Sequence, residues 1–216
     1  MVRSILSSPV VVSLKHATRN VWWRYKGRAI VNPTISPGVS SVLFVCLGNI
    51  CRSPFAAEIA SRRAEALGGR LRFSSAGIRA KQAEKPPEEA NRAAAAYGIS
   101  LDGHRPSALT PELVDAHDLI VVMEPEQRDV VRAQYRDVDN RVFLLSFFDE
   151  GSSGPERYVI ADPFGMPSFA YDHCYRRIDR AVAALLSAVG PGPVAPVLPA
   201  RHSPVELPAA VSQSST

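Results

Sequence analysis

The chain reads as a single α/β domain with a central four-stranded parallel sheet, helices on both faces, and a phosphate-binding loop at the C-terminal end of the first strand. Three observations predict this. Short apolar runs alternate with longer stretches of helical periodicity along 216 residues. The run 41–46 is almost continuously apolar, as a strand covered on both faces requires. Pro, Gly and Thr-Pro pairs fall between the segments, where turns and helix ends are needed.

Residues 41–46 (Ser-Val-Leu-Phe-Val-Cys) form the first predicted strand. A loop follows. Ser53 is then a natural N-cap and Pro54 suits the first helical position, where a missing N–H costs nothing. That helix is expected to stop at Gly68-Gly69. A second strand is read over 71–76, and an alanine-rich helix over 87–97 closed by Gly98. Thr110-Pro111 opens a short helix. Residues 118–123 read as the third strand, 125–135 as a helix and 142–146 as the fourth strand. Over 168–189, Tyr171, Tyr175, Ile178, Val182, Leu185 and Val189 fall at steps of three and four, marking one face of a long helix.

Flanking segments differ in character. Residues 1–39 read as a basic N-terminal extension, 40–190 as the domain, and 191–216 as a Pro/Ala/Ser-rich disordered tail. The formal charge is +4, yet residues 1–40 carry six cations and no acid. With Trp22 and Trp23, the arm suits either a solvated extension with its two aromatics packed on the domain or a basic face for anionic lipid, nucleic acid or an acidic partner, the first being preferred. Nucleic acid is not the expected partner. No apolar run reaches the roughly 18 residues a membrane span needs. Three cysteines (Cys46, Cys51 and Cys174) are too few and odd in number for a secreted disulfide framework, so a cytoplasmic location is expected.

The chemistry concentrates in one loop. Cys46 and Arg52 enclose five residues between a predicted strand and a predicted helix. Such a loop turns backbone N–H groups inward, and the helix dipole adds positive potential there. Gly48 allows unusual backbone angles. Arg52 offers a planar fork for two phosphate oxygens. A thiol at the floor of such a socket is expected to ionise readily and attack phosphorus. A bare C-x5-R spacing also describes a buried structural cysteine near a surface arginine; the strand-loop-helix context is what favours the catalytic reading.

The run from Val42 to Pro54, Val-Leu-Phe-Val-Cys-Leu-Gly-Asn-Ile-Cys-Arg-Ser-Pro, resembles the signature of the low-molecular-weight protein tyrosine phosphatases, in their bacterial form. The likeness extends loosely over 41–189. It implies that Cys46 is the nucleophile, that Leu47, Gly48, Asn49, Ile50, Cys51 and Ser53 build the phosphate loop with Arg52, and that Ser53 stabilises the thiolate. It further implies that Asp162, in Asp162-Pro163-Phe164, is the general acid and Phe164 a pocket wall. Ser75 and His104 match positions that brace Asn49. Cys51 matches a residue that pairs reversibly with Cys46 on oxidation, with a small core residue as the alternative; Cys174 reads as structural. No metal or cofactor is implied.

The implied function is hydrolysis of phosphotyrosine in proteins through a cysteinyl-phosphate intermediate. The implied partners are phosphotyrosine proteins, among them a bacterial tyrosine kinase governing capsule or exopolysaccharide synthesis. A protein-arginine phosphatase is the main alternative, and Ile50, where those enzymes typically carry threonine, weighs against it. An arsenate reductase needs further cysteines, and there are none between Cys51 and Cys174. An inactive phosphopeptide-binding module is disfavoured by the presence of both Cys46 and Asp162.

Overall fold

The computed structural model of the protein describes residues 31–69 and 71–190. The expected arm residues 1–30, with Trp22 and Trp23, and the tail 191–216 lie outside the described residues.

Four strands, β1 (Ser41–Cys46), β2 (Arg72–Gly77), β3 (Leu119–Val122) and β4 (Val142–Leu144), pair in parallel in the order β2-β1-β3-β4. Among the described residues five α-helices accompany them: α1 (Arg52–Ala66), α2 (Glu88–Ala95), α3 (Pro111–Asp115), α4 (Pro125–Gln134) and α5 (Ser168–Val189). The period-two geometry of β1 divides the core. Val42, Phe44 and Cys46 face a cluster formed with α1, α2 and α5, whereas Leu43 and Val45 face one with Val114 of α3 and Val131 of α4. Both faces of the sheet are therefore covered.

Two differences from the sequence expectation have physical reasons. Ser53 is not the N-cap of α1. The helix begins at Arg52 with Cys51 at the cap, and no side chain caps it; the Ser53 hydroxyl is turned instead toward Cys46. The fourth strand ends at Leu144, because residues Leu145–Phe148 tighten into a 3-10 turn. The alanine-rich helix is also shorter than expected, closing at Ala95.

Packing fixes the loop after β1 from behind. Phe55 of α1 stacks on Tyr175 of α5 with centroids 3.9 Å apart, and meets Tyr97 edge-on at 5.1 Å. Each such aromatic pair adds about 0.5–1.5 kcal/mol beyond its buried area. The Tyr175 hydroxyl donates to the Cys51 carbonyl at 3.2 Å. A second clamp sits between α5 and the chain after β4. Buried Arg177 donates to Asp149 Oδ2 at 2.8 Å and to the carbonyls of Val159 and Glu156 at 2.8 and 2.6 Å. Arg180 takes the other Asp149 oxygen at 3.0 Å. These bonds hold the segment that leads into Ile160 and Asp162, and the Ile160 N–H donates to Met123 beyond the end of β3.

Residues ahead of β1 are also tied down. Asn32 exchanges two hydrogen bonds with the Leu144 backbone, and the Arg128 guanidinium donates to the Val31 carbonyl. At the opposite pole Asp118 Oδ2 accepts from the N–H and hydroxyl groups of Ser40 and Ser41.

Candidate active site

The crevice outside the C-terminal ends of β1 and β3 lies where the strand order reverses direction, the expected ligand site of an open α/β sheet. A cleft of about 370 Å³ opens there. Cys46, Ile50, Cys51, Arg52, Asp162 and Phe164 line it, with Leu47 and Gly48. The two expected halves of the site, a loop at 46–53 and an acid at 162, are thus brought together.

The loop is held open by one residue. Asn49 has φ +55°, the left-handed region that asparagine tolerates better than most side chains. It is fully buried. Its Nδ2 donates to Ser53 Oγ and Ser75 Oγ, both at 2.9 Å, and its Oδ1 accepts the Ser107 N–H at 2.8 Å. A His104 ring nitrogen lies 2.7 Å from its carbonyl. Every polar group of Asn49 is therefore engaged. Gly77 lets β2 approach from the other side: a Cβ there would stand 2.9 Å from the backbone of Gly48 and of Asn49.

This bracing leaves donors unspent. The backbone N–H groups of Gly48, Ile50, Cys51, Arg52 and Ser53 donate to no protein acceptor among the described residues. Buried unpaired N–H groups are rare, and several on one loop at a helix N-terminus form an anion socket. The Asn49 N–H donates to Cys46 Sγ at 3.2 Å, and Ser53 Oγ is 3.0 Å from the same sulfur. Asn49 Nδ2 already occupies the acceptor side of that hydroxyl. Its single proton then chooses between Sγ and the Ala76 carbonyl at 3.2 Å. An anionic sulfur is the stronger acceptor.

Arg52 is almost wholly buried. Its Nη1 donates to Glu124 Oε1 and to the Ile160 carbonyl, and its Nη2 donates to Asp162 Oδ2 at 2.5 Å. Burial opposes its charge, but the carboxylates of Asp162 and Glu124 outweigh that and hold its pKa above the ordinary guanidinium value. Its Nε is buried with no hydrogen-bond partner. Neighbouring thiols behave differently. Burial, then Asp162, pushes the Cys51 thiol well above the ordinary range, and burial pushes Cys174 up to about 12. All three cysteines are free thiols.

The family model for low molecular weight phosphotyrosine protein phosphatase matches residues 41–192. The chain belongs to this family. It is accordingly a hydrolase. Among relatives of the phosphatase, the Escherichia coli (strain K12) low molecular weight protein-tyrosine-phosphatase Etp is 33% identical over 142 residues, 66% of this chain and 89% of the relative. A Bacillus subtilis (strain 168) protein-arginine-phosphatase is 34% identical over 124 residues, 57% and 79% of the two chains. The crystal structure of Erwinia amylovora tyrosine phosphatase AmsI superposes with a TM-score of 0.61 at 30% identity, covering 70% of this chain and 93% of that one.

Three residues of the phosphatase site escape a motif-based reading. Glu124 grips Arg52 from the end of β3, and Ser107 holds Asn49. Arg79 lines the mouth of the cleft. Glu124 carries a detectable signal: a carboxylate placed directly after the apolar run 119–123, at the C-terminal end of a parallel strand. Among the described residues no helix is long and apolar enough to cross a membrane.

Proposed function

We propose that the protein hydrolyses phosphotyrosine in proteins in two steps. The Cys46 sulfur attacks phosphorus as the aryl oxygen–phosphorus bond breaks, and Asp162 gives its proton to the departing phenolate. Asp162 then takes a proton from water, which attacks the cysteinyl phosphate. Inorganic phosphate leaves and the Cys46 thiolate returns. The observation that carries this reading is the set of unspent donors around Sγ: five loop N–H groups and the partnerless Nε of Arg52. Together they match the equatorial oxygens of a transferring phosphoryl group.

Arg52 and Asp162 work as a pair in this scheme. An arriving dianion competes with Asp162 for Nη2. Ser53 and Asn49 support charge on Sγ, while Ser75 and His104 keep Asn49 in place. Oxidation pairing Cys46 with Cys51 is part of the proposal, as are a cytoplasmic location and phosphotyrosine proteins of a kinase-controlled exopolysaccharide pathway as substrates.

Substrate class turns on Ile50. Its side chain lines the cleft beside exposed Leu47 and Phe164, an apolar frame for a flat phenyl ring. The identity to a protein-arginine-phosphatase keeps that second reading in view. Steady-state hydrolysis of phosphotyrosine and phosphoarginine peptides of one sequence discriminates them. Faster turnover of the tyrosine peptide is expected, with Ile50→Thr moving the ratio toward arginine. A strong arginine preference in the wild type would overturn the assignment.

A further inference from the structure

The mouth of the cleft carries a cation that the chemistry of phosphate hydrolysis leaves unused. Arg79 and Lys81 line the cleft together with Glu84. Lys81 is spent locally: its Nζ lies 3.0 Å from Glu84 Oε1. Asp162, the other carboxylate lining the cleft, is taken by Arg52. Arg79 is exposed, and its guanidinium has no carboxylate partner among the described residues. Its root is nevertheless rigid. The Arg79 N–H donates to the Leu47 carbonyl at 2.8 Å and the Ile78 N–H to the Cys46 carbonyl at 3.0 Å. The backbone of Arg79 is thus bonded to the phosphate loop itself, while its head is left in solvent at the cleft mouth. The segment 78–85 around it carries three cations against one carboxylate.

We infer that Arg79 is a specificity-determining residue that selects substrate proteins carrying an acidic side chain next to the phosphorylated residue. The inference rests on the phosphotyrosine reading above and names the substrate class of that site. A cation fixed at its base and unpaired at its tip needs no neighbour displaced before it binds a carboxylate. The geometry suits a guanidinium better than an ammonium, because a carboxylate accepts two parallel N–H bonds from the planar fork. Its exposure caps the effect. Solvent-exposed ion pairs contribute at most about 1 kcal/mol, so a preference of up to about fivefold is expected, weakening with salt.

The test compares kcat/KM for three phosphotyrosine peptides that differ only in flanking glutamate, alanine or lysine. Each enzyme's glutamate-to-lysine ratio is the readout, so changes in its overall activity cancel. The wild type is expected to favour glutamate, with the ratio falling as sodium chloride is raised. Arg79→Ala should bring it near one, and Arg79→Glu should invert it. A wild-type ratio of one, or a preference that survives Arg79→Glu, overturns the assignment of Arg79 alone. Absence of hydrolysis of all three peptides and of p-nitrophenyl phosphate by the wild type would instead overturn the phosphatase reading beneath it.

Discussion

Arg52 Nη2 donates to Asp162 Oδ2 at 2.5 Å across 110 residues of sequence. The contact joins the proposed phosphate-gripping residue to the proposed acid before any substrate arrives. It also gives the acid loop a defined resting place, reinforced by the bond from Nη1 to the Ile160 carbonyl. In the proposed scheme, substrate phosphate takes Nη2 from Asp162 and so releases the carboxyl for the leaving group.

Asp162→Asn is expected to lower kcat/KM by about 10²- to 10⁴-fold, the range for loss of a general acid. The loss should depend on the leaving group. Phenyl phosphate, which expels a basic phenolate, should suffer more than p-nitrophenyl phosphate. Equal losses on the two esters would remove Asp162 from the proton-transfer role.

Glu124→Gln keeps the shape of the side chain and removes its charge from beside Arg52. Breaking a buried pair outright costs about 3–5 kcal/mol. An amide oxygen still accepts a hydrogen bond, so a loss of about 2 kcal/mol is expected, read as a lower urea midpoint at unchanged slope. Inhibition by inorganic phosphate should weaken in parallel, because the guanidinium is less firmly aimed. Unchanged stability and unchanged phosphate inhibition together would show that Glu124 does not hold Arg52.

The cysteines should separate by reactivity. Burial pushes the Cys174 thiol up to about 12, and Cys51 is likewise raised well above the ordinary thiol range. Iodoacetamide between about pH 7 and 9 should therefore label Cys46 alone, as read by peptide mass mapping. Comparable labelling of Cys51 or Cys174 in folded protein contradicts this. The same groups set a sign for stability. Their folded values lie above the unfolded value of about 8.5, so their contribution is complete below that pH and drains away as pH rises toward 12. Unfolding midpoints should accordingly fall on the alkaline side.

Much of this was legible in the chain. Continuous apolar runs such as 42–46 and 119–122 locate parallel strands, because both their faces are buried. The 46–52 spacing locates the socket, because only a strand-loop-helix junction turns several N–H groups to one point. Less legible were residues whose role is set by distant geometry. Ser53 looks like a helix cap locally, yet Asn49 and Cys46 claim its hydroxyl in three dimensions. Glu124 looks like an ordinary helix-flanking charge, and Arg177 like an ordinary charge within a helix. Their partners, Arg52 and Asp149, lie 72 and 28 residues away, beyond the reach of local pattern. The hydrogen bonds from Asn32 to Leu144 likewise span 112 residues.

The role of Cys46 is tested most directly by p-nitrophenyl phosphate turnover in the wild type and Cys46→Ser, both confirmed folded by circular dichroism. A serine hydroxyl in the same cradle keeps the phosphate socket and lacks the sulfur nucleophile. The expected result is loss of turnover by several orders of magnitude with phosphate binding retained. Comparable turnover in the two proteins would contradict the assignment of Cys46 as the nucleophile.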